Sequence, residues 1–173
     1  MPSRAQIAQV FALIVLMVYS WTIVWFSYKV PSWLYFLNLG EITTVFAYSL
    51  ATNLAESLAV LCGPVALSLV LPRKWFHDVF VARGGTLAIA GLAYMMYVAS
   101  QFTSKDGYPT LTLKPWSLAV VLVLIAVLVY LAGRSRLVRG IVEGIADRAT
   151  IFLYIYMPLS VLALLLVLFR WIR

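Results

Sequence analysis

The chain has 173 residues, 64% of them hydrophobic and 11% charged, with a formal net charge of +7. Mean hydropathy is +1.00, whereas a soluble domain is about half apolar and about a quarter charged. Composition therefore excludes a soluble globular domain, a disordered chain and a disulfide scaffold, and leaves a polytopic integral membrane protein.

The first apolar segment covers 6–28. It is too long for the apolar region of a cleavable signal peptide, and aromatic residues follow it where a small-residue cleavage site would stand, so it is expected to remain as a helix. The stretch 30–40, with Pro31, Trp33, Leu34, Tyr35, Phe36 and Leu37, is too apolar for a free loop and should dip into the interface or pack back over the bundle. The second segment, 42–71, would be ~45 Å long as one helix, more than the ~30 Å hydrocarbon core. Gly63-Pro64 lies inside it and predicts a kink or a break, because proline removes a backbone hydrogen bond and clashes with the preceding turn.

Spans three, four and five are expected at 84–102, 116–133 and 150–171. Trp33, Tyr35, Trp75, Trp116 and Trp171 lie near segment ends, where amphipathic rings prefer the interface. Between the last two spans, 134–148 has helical periodicity. Leu137, Val138, Ile141, Val142 and Ile145 fall on one side, and Arg136, Arg139, Glu143 and Asp147 on the other. This pattern predicts an amphipathic helix lying flat at the membrane surface or packed on its own protein. The fold class expected is thus all-α: one transmembrane domain over 1–173, with about five spans plus one interfacial helix.

Five spans put the termini on opposite sides. Eight basic residues (Arg4, Arg73, Lys74, Arg83, Arg134, Arg136, Arg139 and Arg148) fall on one side. Five (Lys29, Lys105, Lys114, Arg170 and Arg173) fall on the other. The positive-inside rule then predicts a multi-pass cell-membrane protein with its N-terminus cytoplasmic and its C-terminus outside. Basic residues at the ends of apolar runs suit lipid head groups and give no reason to expect nucleic acid. Arg73, Lys74, Arg83, Arg136 and Arg139 are the candidates for that contact.

One cysteine, Cys62, and one histidine, His77, fall short of the ligands of a structural zinc site, an iron–sulfur cluster or a bis-histidine haem. No metal or other cofactor is expected. His77 and Asp78 are adjacent, cannot share a helix face, and have no nucleophile signalled beside them. No nucleophile elbow, zinc-protease or phosphate-loop spacing occurs, so no catalytic residue is assigned. The connection 103–115 carries Lys105, Asp106 and Gly107, a turn signature.

The informative residue is Glu56, halfway along the second segment. A charged carboxylate at that depth costs roughly 2.5–3.5 kcal/mol on insertion scales. Ser49, Thr52, Asn53 and Glu56 fall within an arc of about 100°. This polar stripe should face the bundle interior or a subunit contact. Tyr94, near the middle of the antiparallel third span, is at a depth to join it. A Glu56 bonded to a tyrosine hydroxyl or to Asn53 would be satisfied structurally. A binding or proton-linked role, or contact with a partner subunit, are the alternatives. Gly84, Ala88 and Gly91 place small residues near one side of the third span, which permits close helix approach.

Three functional classes follow. Small size, short loops and few reactive side chains favour a non-catalytic subunit or accessory protein of a membrane complex, with lipids and other membrane subunits, or further copies of itself, as partners. A small transporter or channel using the stripe around Glu56 is the alternative. A membrane-embedded lipid-modifying enzyme is a third, resting on one intramembrane carboxylate.

Overall fold

The structure, a computed structural model, describes residues 2–102 and 114–172; for Arg73, Lys74, Phe102, Trp171 and Ile172 it describes the backbone alone. The described residues form helices α1 (Arg4–Trp33), α2 (Leu39–Val70), α3 (Arg73–Phe76), α4 (Phe80–Phe102), α5 (Pro115–Arg134) and α6 (Arg136–Ile172). Five of these are long and apolar enough to cross a membrane. The turn carrying Lys105, Asp106 and Gly107 lies outside the described residues.

Local signals explain the helix starts. Ser3 caps α1 through a reciprocal pair with Gln6: the Gln6 N–H donates to Ser3 Oγ at 3.2 Å, and the Ser3 N–H donates to Gln6 Oε1 at 2.8 Å. Asn38 and Glu41 make the same box at the start of α2, at 2.9 and 2.8 Å. Pro115 opens α5, where its missing N–H leaves no bond unmade.

Helix α1 is the centre of the bundle and packs on α2, α4 and α6; α5 lies to one side, against α4 and α6. The main core joins Val10, Phe11, Ile14, Val15, Val18 and Tyr19 of α1 to Leu50, Phe76, Phe80, Ala88 and Ala163. A second cluster packs Ala12 and Leu13 against Val81, Ala146 and Ala149. Small residues set the approach of α4. A Cβ at Gly85 would lie 2.8 Å from Leu13 Cδ1 and 3.3 Å from Val142 Cγ1, and one at Gly84 would lie 3.4 Å from Pro64 Cβ. At the opposite end Arg170 donates to Thr44 Oγ1 at 3.0 Å, tying the end of α6 to the start of α2. These contacts make the long helices alternate in direction, so the chain starts and finishes at opposite ends.

Three boundaries differ from the expectation. The first helix does not stop at 28: it continues through Pro31 to Trp33, and a turn at 34–36 leads to Asn38. The helix around Gly63-Pro64 does not break. Helical hydrogen bonding runs on either side, and Pro64 is buried against α4, so packing offsets the lost N–H. The stretch 134–148 is helical, but it is not a separate element. Arg134 ends α5, and from Arg136 the helix runs unbroken into the fifth span, with Pro158 inside it. No glycine or proline stands at 149–150 to stop it, and Ala146 and Ala149 pack on the bundle as the span does.

Candidate functional site

The polar stripe of α2 is divided by its own helix geometry. Asn53 turns inward and is buried; its Oδ1 accepts from the Thr22 hydroxyl of α1 at 3.0 Å, and its Nδ2 has no partner among the described residues. Ser57, one turn further, is fully buried with its hydroxyl unpartnered. The Ser49 and Thr52 hydroxyls donate back to the carbonyls of Val45 and Tyr48, each at 3.0 Å. That leaves Glu56, which is exposed on the flank of the isolated chain and makes no hydrogen bond or ion pair with a described residue.

Glu56 does not project from a flat surface. It lines a lateral groove of about 380 Å³ between α1, α2 and α4, with Val18, Trp21, Thr22, Ala59, Val60, Leu92, Met95, Met96 and Ala99 as the other walls. The lining is apolar apart from Glu56, the Thr22 hydroxyl and the Trp21 ring nitrogen. Trp21 and Thr22 also border a shallower groove of about 300 Å³ that reaches Trp25, Phe26, Lys29, Trp33 and Ser49. Edge-on ring pairs, Trp21–Trp25 at 5.7 Å and Phe26–Trp33 at 5.3 Å, stiffen that side. Of the two surroundings expected for Glu56, the interior of its own bundle is therefore not the one it has. Tyr94 is half-buried on α4, and the groove wall on that helix is made by Leu92, Met95, Met96 and Ala99 instead.

The basic candidates also separate. Arg136 is exposed. Arg139 pairs with Glu143 at 2.8 Å, one helical turn away. The side chains of Arg73 and Lys74 lie outside the described residues. Arg83 is the departure: it belongs to the first turn of α4 rather than to the connection before it, and it is only 7% exposed. Its guanidinium lies 4.5 Å from the Trp75 ring centroid, and a Cβ on Gly133 of α5 would overlap it. Among the described residues no three His, Cys, Asp or Glu side chains come together as metal ligands would.

Thr22, Trp21, Met95 and Met96 escaped the sequence reading because a groove between three helices has no periodicity of its own. Gly133 escaped it because a single glycine near a helix end reads as a cap. Comparisons with protein-family models, with curated proteins and with solved structures give no match to this chain.

Proposed function

We propose that the protein is a non-catalytic subunit of a membrane complex and that a transmembrane helix of a different subunit occupies the Glu56 groove. The observation that carries this reading is the position of Glu56: halfway along α2, facing out of the bundle and without a partner among the described residues. Hydrocarbon offers it no hydrogen bond, and an unpaired polar group there costs several kcal/mol. A neighbouring helix that carries a lysine, arginine or side-chain amide at this depth removes that cost. Two copies meeting symmetrically here would set Glu56 against Glu56, which favours a helix of a different subunit.

Two finer readings accompany this one. The eight-to-five division of basic residues favours a cytoplasmic N-terminus. The first turns of α6 form an amphipathic segment at the membrane surface, with Leu137, Ile141 and Ile145 toward lipid or partner.

The test places a photo-crosslinking residue at Ala59, in the groove, and at Val127, on the exposed side of α5, in native membranes. A discrete adduct at Ala59 that is absent at Val127, weakened in Glu56→Gln and lost in Glu56→Leu, is the expected result. No adduct at Ala59, or one indifferent to Glu56→Leu, overturns it. A second reading, a small transporter with Glu56 in its path, draws on the way Trp21 and Thr22 join the two grooves. It predicts a folded Glu56→Gln variant without transport.

A further inference from the structure

Arg83 is a buried cation with no anion paired to it among the described residues. Its Nε and Nη1 are buried and have no hydrogen-bond partner among the described residues. The one salt bridge among those residues joins Arg139 to Glu143 instead. A guanidinium in that state is expensive, since a buried donor left unmade loses its hydration and gains nothing for it. Its position adds to the cost, because a cation in the first turn of a helix meets the positive end of the helix dipole, where an anion is favoured.

The surroundings nevertheless look built to hold it. Trp75 covers one face of the guanidinium at 4.5 Å, a cation–π contact. Gly133 leaves room for it on α5, where any Cβ would collide. Beside Gly133, Arg134 donates from Nη1 to the Tyr130 hydroxyl at 3.1 Å, and Tyr130 is within electrostatic reach of Arg83. Two guanidiniums thus flank the end of α5. Arg136 and Arg139 follow at that same end, in the first turns of α6. Below them α5 presents exposed Leu131, Val127 and Leu124, and it packs on the bundle mainly through α4 and α6.

We propose that Arg83 and Arg134 form a binding site for the phosphate of an anionic phospholipid head group, held between Trp75 of α3, the start of α4 and the end of α5. An oxyanion accepts the unmade guanidinium hydrogen bonds and is favoured by the α4 N-terminus. The acyl chains then run down the exposed aliphatic face of α5, which is what distinguishes a lipid from a free anion or a partner's carboxylate. This site is independent of the Glu56 groove.

The experiment is thermal unfolding of the purified full chain in non-ionic detergent, titrated with phosphatidylglycerol, phosphatidylcholine or inorganic phosphate. Phosphatidylglycerol is expected to raise Tm, and the other two are not. Arg83→Gln should lower the apparent affinity for phosphatidylglycerol about tenfold or more, the size of one charge-assisted hydrogen bond. Arg134→Gln should weaken it, and Lys114→Gln, at the opposite end of α5, should leave it unchanged. Should Arg83→Gln not fold, the exposed Arg134 carries the test alone, and an unaltered response in Arg134→Gln overturns the proposal. So does a full response in Arg83→Gln, or an equal response to phosphatidylcholine. An Arg83-dependent response to inorganic phosphate equal to that of the lipid would reassign the site to the free anion. Protein co-purification that depends on Arg83, with no lipid response, would reassign it to a partner's carboxylate.

Discussion

Tyr19 and Ser160 hold their hydroxyl oxygens 2.5 Å apart where both side chains are buried, joining the middle of α1 to the second half of α6. Each removes the other's only cost of burial, and the pair fixes the register of the central helix against the last. The two residues are not equally exposed to loss of the partner. A serine can turn its hydroxyl to the carbonyl a turn earlier in its own helix, whereas a tyrosine hydroxyl reaches no backbone of its own helix. Ser160→Ala should therefore destabilise more than Tyr19→Phe. Both effects should be on the order of 0.5–2 kcal/mol, and the double variant should recover part of the loss. A double-mutant cycle by reversible denaturant unfolding in mixed micelles measures the coupling, and additive losses would dissolve the pair.

Ser57 makes the contrast. It is as buried as Ser160, but its hydroxyl has no partner among the described residues. Ser57→Ala removes a desolvated group and no hydrogen bond, so it should be neutral or raise stability by up to about 1 kcal/mol. The same unfolding measurement checks it. A loss as large as that of Ser160→Ala would mean that Ser57 has a partner in the assembled protein.

The spans were legible in the sequence because a hydrocarbon core imposes one requirement on every helix, about 20 apolar residues. The pairing of those spans was not, since lipid-facing and protein-facing surfaces are equally apolar. Glu56 illustrates the limit. Its rarity marked it as informative, but the stripe it shares with Asn53 spans an arc wide enough for Asn53 to meet Thr22 while Glu56 faces outward. Arg83 illustrates another. A basic residue at the end of the connection 72–83 reads as interfacial, and only the contact with Trp75 and Gly133 shows it enclosed. The break placed before 150 failed because helix ends need a stop signal, and none stands there.

Spacing alone points to Gly84, Ala88 and Gly91 on α4; the structure adds Gly85 and ranks them. Gly85 is the tight one, against Leu13 and Val142, whereas Gly91 has no neighbour within 4 Å of where a Cβ would sit. Gly85→Ala should destabilise by about 1–3 kcal/mol through overpacking. Gly91→Ala should be neutral or stabilise by up to about 1 kcal/mol through helix propensity. Similar unfolding midpoints for the two variants would show that the α1–α4 approach differs from that described.

Orientation is open to labelling. With Cys62 replaced by serine, a single cysteine at Tyr35, in the exposed turn between α1 and α2, should react in intact cells with a membrane-impermeant maleimide. One at Gly140, where a side chain meets no neighbour, should react only after permeabilisation. The reverse pattern would mean that the charge bias misleads, and the same pattern at both sites would mean that a span is miscounted.

The last prediction concerns the start of α6. At 37 residues this helix is ~55 Å long, well beyond the ~30 Å hydrocarbon core, so it must tilt strongly or extend past the core. Val142, Ala146 and Ala149 pack against the bundle, while Leu137, Ile141 and Ile145 form an exposed apolar stripe, with Asp147 exposed on another side. If these turns stood in water, the stripe would leave three large aliphatic side chains unburied. The surface reading instead places the stripe in the acyl boundary and Asp147 in the head-group or aqueous layer. Nitroxide labels at Ile141 and Asp147, in vesicles, separate these arrangements. The label at 141 should collide preferentially with oxygen, which concentrates in lipid, and the label at 147 with a water-soluble nickel complex. Preference for nickel at both positions would put the stripe in water and end the interfacial reading. Protection from both reagents at 141, appearing only in native membranes, would instead place a partner subunit on the stripe.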